Sequence, residues 1–320
     1  MRQELGAIEK RVDGLLALFV SDANTAERVN EFFRTQIRNA NTRKAYAGAA
    51  GNFAAWCAEH GIKELGQVRP VHVASYIEGL HKKIAAPSVK LHLAAIRMLF
   101  EYLVVSRVVS VNPASSVRGP RHVVKKGKTP VLTAEETRAL FNKIDTSSPV
   151  GLRDRALIGL MVYTFARVGA AIQMRVEDVH VKDRRTWVRL REKGGKRHEI
   201  PCNHNLEDYL RVYIEGAGIG ADAKGYLFRT ARGRTNELTD RPLAQADAYR
   251  MIRRRALDVG LCTKIGCHSF RATGLTEYLR NGGKLEVAQQ MANHESARTT
   301  GLYDRRNDQI SLDEVERILI

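Results

Sequence analysis

Cysteine is scarce: Cys57, Cys202, Cys262 and Cys267 are the four thiols in 320 residues. None forms a C-x-x-C pair, which argues against a disulfide scaffold or a zinc site of ordinary spacing. Cys202 and His204 have no partner pair that would complete a metal site. Long hydrophobic runs are missing as well. The best, 156–166, contains Tyr163 and Thr164 and falls short of the roughly 18–20 apolar residues that span a bilayer. It reads as a buried helix. Residues 14–20 are apolar, but Glu4, Glu9 and Asp13 precede them and no small-x-small cleavage signal follows. A cytoplasmic protein without a membrane association is expected. Acidic residues are the third deficit: 35 Asp and Glu face 52 Lys and Arg, a net charge of +17. Such an excess points to a polyanionic partner, nucleic acid first. Aromatic RNP-type and KH-type signatures of RNA binding are absent. With 44% hydrophobic and 27% charged residues, the chain can build real cores, so wholesale disorder is excluded.

The length suggests two domains. An N-terminal extension, 1–20, leads into a helical region, 21–110. There Asn41 and Thr42 open a segment with Tyr46, Ala49, Phe53 and Trp56 on one face, ended by Gly61. A shorter helix is expected over 71–80. Ala86-Pro87-Ser88 then starts a long one striped by Val89, Leu93, Ile96, Leu99, Phe100 and Leu103, its proline in the first turn where no N–H is needed. Residues 102–134 hold no acid, but they carry Arg107, Arg118, Arg121, Lys125, Lys126 and Lys128 among prolines and glycines. The segment 111–131 is therefore a basic linker, either a solvated tether or a strap on a phosphate backbone, and the overall charge favours the strap. A capping box, Thr133 to Glu136, opens the second domain, 132–320. A helix from Arg153 to about Ala166 follows. Two extended runs, 186–191 and 198–200, then flank Lys193-Gly194-Gly195-Lys196, a β-hairpin whose turn glycines supply positive φ. Helices are expected over 207–215, 243–259, 269–281 and 285–292. The fold class is mainly α with a small β-sheet, a helical domain preceding a mixed α/β domain.

Singly, the candidate chemical groups are ambiguous. Arg167 after an apolar helix also suits a C-terminal cation answering the macrodipole, and Lys193 suits a solvated turn. His268 and Arg271 share a helical face. His294 and Tyr303 suit ordinary packing. Together and in order, Arg167, Lys193, His268, Arg271, His294 and Tyr303 resemble the active-site set of the tyrosine recombinase (phage integrase) family. The contexts agree. Thr164-Phe165-Ala166-Arg167 is similar to the first arginine box, and residues 193–196 to the hairpin lysine turn. Residues 267–273 are similar to the H-x-L-R-H box. Asn293-His294, with Thr299-Thr300-Gly301-Leu302-Tyr303 after it, is similar to the family's ending. Two departures stand out. Ala170 occupies a place that is usually acidic, three after Arg167, and Ala292-Asn293 replaces the usual Leu-Gly.

The resemblance implies a helical core-binding domain and a catalytic domain that clamp duplex DNA from opposite sides. It implies site-specific recombination through a 3′-phosphotyrosyl intermediate, with Tyr303 as nucleophile. Arg167 and Arg271 would clamp the phosphate, since guanidinium forks match phosphate oxygens without a metal. His268 and His294 would bond the phosphate or handle the tyrosine proton, and Lys193 would protonate the leaving 5′ oxygen. No cofactor and no metal are expected, because the carboxylate cluster of a two-metal nuclease is not evident. A type IB topoisomerase has a similar catalytic core and is the close rival; a non-catalytic DNA-binding protein of this fold is disfavoured by the full set of six groups. The expected partner state is a homo-oligomer, a tetramer on two DNA sites, with accessory proteins left open. The end of the chain, 304–320, has five acids and three bases. A second capping box, Ser311 to Glu314, opens a helix there with Leu312, Val315, Ile318 and Leu319 apolar. It suits docking on a neighbouring subunit, or folding back on its own domain.

Overall fold

The computed structural model describes residues 17–19, 22–123, 127–192, 197–233 and 235–304, and the chain divides into two compact units after Val123. The first is helical: α1 (Ala23–Thr35), α2 (Ala40–Glu59), α3 (Pro70–His81) and α4 (Ala86–Val105). The start signals are local. The Asp22 carboxylate accepts from Thr25 N, and Asn39 accepts from the amides of Asn41 and Thr42, satisfying donors that a helix N-terminus leaves open. Pro70 and Pro87 sit in the first turns of α3 and α4. The expected stripe on α4, from Val89 to Leu103, is buried throughout. Phe53 of α2 meets Tyr76 edge-on at 5.1 Å and Phe100 at 6.4 Å. The Arg97 guanidinium donates to the carbonyls of Ala114 (3.2 Å) and Val117 (2.7 Å), tying the start of the basic segment to α4.

In the second unit, α5 (Ala134–Lys143) opens on the expected capping box: Thr133 Oγ1 accepts from Glu136 N, and Glu136 accepts from Thr133 N. The central helix α6 (Pro149–Tyr163) starts earlier than its apolar pattern suggests, because Ser148 caps Gly151 N and Pro149 takes the first turn. It also stops earlier. Thr164 folds its hydroxyl onto the Leu160 carbonyl at 2.6 Å, and Phe165 turns left-handed at φ 56. After the short α7 (Val168–Ala171) come three antiparallel strands in the order β1 (Val179–Lys182), β2 (Arg185–Arg191), β3 (Arg197–Pro201). Register from Trp187–Pro201 to Arg191–Arg197 bears out the antiparallel pairing of the two expected runs; the turn between them, 193–196, lies outside the described residues. Strand β1 escaped expectation, being short and largely exposed. So did the pair β4 (Arg229–Ala231) and β5 (Leu238–Pro242), interrupted by a register shift.

Helices α8 (His204–Gly216), α9 (Gln245–Asp258), α10 (Cys267–Arg280), α11 (Leu285–Met291) and α12 (Ala297–Gly301) complete the described chain. α6 is the axle of this unit. Buried Asp154 on it accepts from Arg153, Arg254 and Arg255, pairing a carboxylate that could not otherwise be buried charged. A Cβ on Gly274 of α10 would lie 2.0 Å from the Val162 carbonyl oxygen, so glycine there lets α10 close onto the end of α6. No helix among the described residues is long and apolar enough to cross a membrane. The expected C-terminal helix lies outside the described residues.

Candidate active site

Five of the six candidate side chains meet around the end of α6. Arg167 stands at the N-cap of α7, two residues past left-handed Phe165, and its guanidinium donates to Glu192. His268 and Arg271 leave the first turns of α10 on one face. His294 follows α11 in a tight turn, and Tyr303 follows α12. Lys193, between β2 and β3 in sequence, lies outside the described residues.

Arg271 is 1% exposed. Its terminal nitrogens donate to the carbonyls of Phe165 and Ala292, and Nη2 also meets His294 Nε2 at 2.7 Å. Three segments are thereby locked onto one guanidinium. Among the described residues its Nε has no partner. Because arginine only donates, His294 Nε2 must accept, so the ring proton sits on Nδ1 and is donated to Thr300 Oγ1 at 2.9 Å. The turn before His294 needs left-handed backbone at Asn293, φ 48. Asparagine is one of the few non-glycine residues that accept this conformation, which accounts for its standing where glycine is usual.

Tyr303 is 8% exposed and packs with Phe165, Leu275 and Leu279. Its ring stacks on His294, centroids 5.9 Å apart and planes 12° apart. Its Oη lies 2.7 Å from His268 Nε2, and its carbonyl accepts from Thr276 Oγ1 at 3.0 Å. Just before it, the Leu302 carbonyl accepts from Gly127 N at 3.2 Å. The phenol is therefore held by its ring, its hydroxyl and its backbone.

The pocket is cationic, and one carboxylate tempers it. Glu192, at the end of β2, accepts from Arg167 Nη1 at 2.5 Å, its side chain 4% exposed and that of Arg167 40%. Burial, then the fields of Arg271 and Arg167, lower His268; the same causes, with His268 added, bring His294 to about 4. Both imidazoles are neutral near neutral pH. Burial and the field of Arg167 lower the Arg271 guanidinium to about 10, against the opposing fields of Glu192 and Tyr303. Burial pushes the Tyr303 phenol up, while Arg271 and Arg167 pull it down. Chemically a neutral base touches a phenol beside two guanidiniums that, among the described residues, retain unbonded N–H groups, so the arrangement can seat an anion within reach of the phenol oxygen.

The sequence reading missed Glu192, Thr276 and Thr300. An acid directly before Lys193 was the available signal for Glu192. Thr276 gave none, and Thr300 stood in the family-like ending without a role, since both roles depend on contacts made only once α10 and α12 are packed. Among the described residues, no group of three or more His, Cys, Asp or Glu side chains is arranged to hold a metal ion.

Comparison with known proteins agrees with this geometry. A model described as the phage integrase family matches residues 130–309, and one described as the phage integrase N-terminal SAM-like domain matches 29–106. Tyrosine recombinase XerD of Chlorobaculum tepidum is 28% identical over 270 residues, spanning 82% of this chain and 85% of the relative. Tyrosine recombinase XerC of Vibrio parahaemolyticus is 25% identical over 285 residues, spanning 87% and 86%. Among solved structures, the XerH site-specific recombinase bound to a palindromic difH substrate, a post-cleavage complex, has a TM-score of 0.70 at 20% identity, covering 97% of this chain and 92% of that one. The lambda integrase tetramer bound to a Holliday junction has a TM-score of 0.69 at 18% identity, covering 89% and 79%.

Proposed function

This chain belongs to the phage integrase family of tyrosine recombinases, and we propose that it cuts and rejoins duplex DNA at a specific site through a bond between Tyr303 and a 3′ phosphate. The observation that carries the mechanism is the 2.7 Å contact of Tyr303 Oη with His268 Nε2, beside two arginines of the same chain. In this mechanism Arg167 and Arg271 bind the non-bridging oxygens of a phosphodiester and stabilise the charge that grows on them. Neutral His268 takes the phenol proton as Tyr303 Oη attacks phosphorus. The new O–P bond replaces the bond to the 5′ oxygen, which leaves with a proton from Lys193. His294, its Nδ1–H spent on Thr300 and its Nε2 accepting from Arg271, holds the guanidinium and stacks on the nucleophile. Attack by a 5′ hydroxyl reverses the step, and the phosphotyrosine conserves the bond energy. The reaction uses no metal and no cofactor.

The remaining assignments follow the same reading. Residues 21–110 form the core-binding domain, 111–131 a basic linker against the phosphate backbone, and 132–320 the catalytic domain. Two DNA sites are joined by a homotetramer in the cytoplasm, the segment after Tyr303 docking on a neighbouring subunit. The test is to incubate the protein with its host's genomic DNA, denature, and sequence what stays covalently attached. One recurrent sequence, lost with Tyr303→Phe, is the expected result. Scattered attachment sites with relaxation of supercoils would make the enzyme a topoisomerase. Adducts that survive Tyr303→Phe would move the nucleophile elsewhere, Tyr278 being the first alternative.

A further inference from the structure

We infer that Glu192 is a positioning residue of this active site: its buried carboxylate holds the Arg167 guanidinium in the orientation that receives the phosphate. The inference rests on the proposed function and adds a residue to its machinery. A helical acid near Arg167 would be the local way to orient it, but Ala170, on the same short helix three residues on, is a buried alanine. The negative charge comes instead from the sheet. Glu192 follows the last residue of β2, and its Oε2 lies 2.5 Å from Arg167 Nη1. A side chain 4% exposed gives up its hydration, and that loss is offset only when the carboxylate is paired.

The pairing leaves the arginine free to work. The bond to Glu192 engages Nη1, and the Arg167 side chain remains 40% exposed, so an anion from solvent can reach it. The influence of Glu192 also reaches the second arginine, since its field supports the charge on buried Arg271 against the repulsion from Arg167. Without Glu192, the mutual repulsion of Arg167 and Arg271 would go uncompensated, and the more exposed Arg167 would turn toward water. A carboxylate that merely stapled β2 to α7 would affect folding alone. One that orients Arg167 has a different signature: removing it makes the pocket more positive, so a simple anion binds more tightly, while the reaction slows because the fork is misplaced.

The experiment compares wild type with Glu192→Gln, which keeps the shape and drops the charge. Inorganic phosphate is titrated against the full-length protein while the ring signals of His268 and His294 are followed by NMR. Single-turnover cleavage is measured on a nicked duplex carrying the site recovered by covalent trapping. Phosphate should bind the variant about threefold more tightly, and cleavage should be about 10- to 100-fold slower. In an Arg167→Lys background, Glu192→Gln should add little, because the two act as one unit. Wild-type cleavage by Glu192→Gln, a parallel loss of phosphate binding and cleavage, or a full additional loss in the Arg167→Lys background would each overturn the inference. Failure of wild type to form any Tyr303 adduct would instead overturn the proposed function, and the phosphate titration would still report on Glu192.

Discussion

His294 links this site to acid stability in a way that can be measured. An exposed histidine takes up its proton near 6.5, whereas burial beside Arg271, Arg167 and His268 holds His294 neutral down to about 4. Between those values the unfolded chain binds the extra proton and the folded chain does not. Stability from this group is therefore complete above pH 6.5 and drains away as pH falls toward 4. The gap corresponds to about 3 kcal/mol, at a limiting slope of about 1.4 kcal/mol per pH unit. His268 is shifted in the same direction and adds to the effect. The two tryptophans, Trp56 and Trp187, fall one in each unit, so Trp56→Phe leaves a fluorescent reporter in the catalytic unit alone. Urea unfolding of that protein from pH 7 to pH 4 is compared with the same protein carrying His294→Gln. Carboxylate titrations are common to both and cancel. The stability difference between them should shrink by about 3 kcal/mol across this range. A constant difference, or a His294 ring signal titrating near 6.5, would refute the assigned burial and the tautomer deduced from it.

Three further outcomes are expected. Gly127→Ala would put a Cβ 2.4 Å from the Leu302 carbonyl oxygen, a clash with backbone that no side-chain rotation relieves; Tyr303 adduct formation should slow about tenfold with DNA affinity unchanged in gel shifts. Asn293→Gly should be neutral or stabilising in thermal melts, and Asn293→Val destabilising by about 1–3 kcal/mol, because a β-branched residue resists the left-handed turn before His294. Cleavage should continue in excess chelator, and its loss with rescue by magnesium would reject arginine-only charge stabilisation.

The parts legible in the sequence were those written locally. The α4 stripe, the Thr133–Glu136 capping box and the pairing of the strands on either side of the Gly-Gly dipeptide each depend on residues close in sequence, and each is present. The candidate site groups were named for another reason, residue type and order, and five of the six lie together in the structure. What stayed hidden was set by distant contacts. α6 stops at Tyr163 because Phe165 must turn left-handed to offer its carbonyl to Arg271, 106 residues away. Glu192 reads as an ordinary surface acid until the sheet folds against Arg167. β1 does alternate, but over four residues only, and Val181 on its apolar face is exposed, so no buried stripe marks it.

Arg271 shows why such a site is costly to fold and effective once filled. A guanidinium lowered by burial to about 10 is disfavoured in the folded state by about 3 kcal/mol relative to water. The carbonyls of Phe165 and Ala292 and the ring of His294 supply hydrogen bonds without a full countercharge. Glu192, bonded to Arg167, supplies one negative charge for two arginines. In the proposed mechanism a phosphodiester brings the missing charge. On that reading, DNA binding offsets much of this cost, and the transition state offsets more by adding negative charge on the same oxygens. A saturating phosphate anion should consequently raise the melting temperature of the wild-type catalytic unit but not that of Arg271→Met, in which the buried cation is gone. Equal stabilisation of both proteins by phosphate would show that the anion binds elsewhere and that Arg271 is structural.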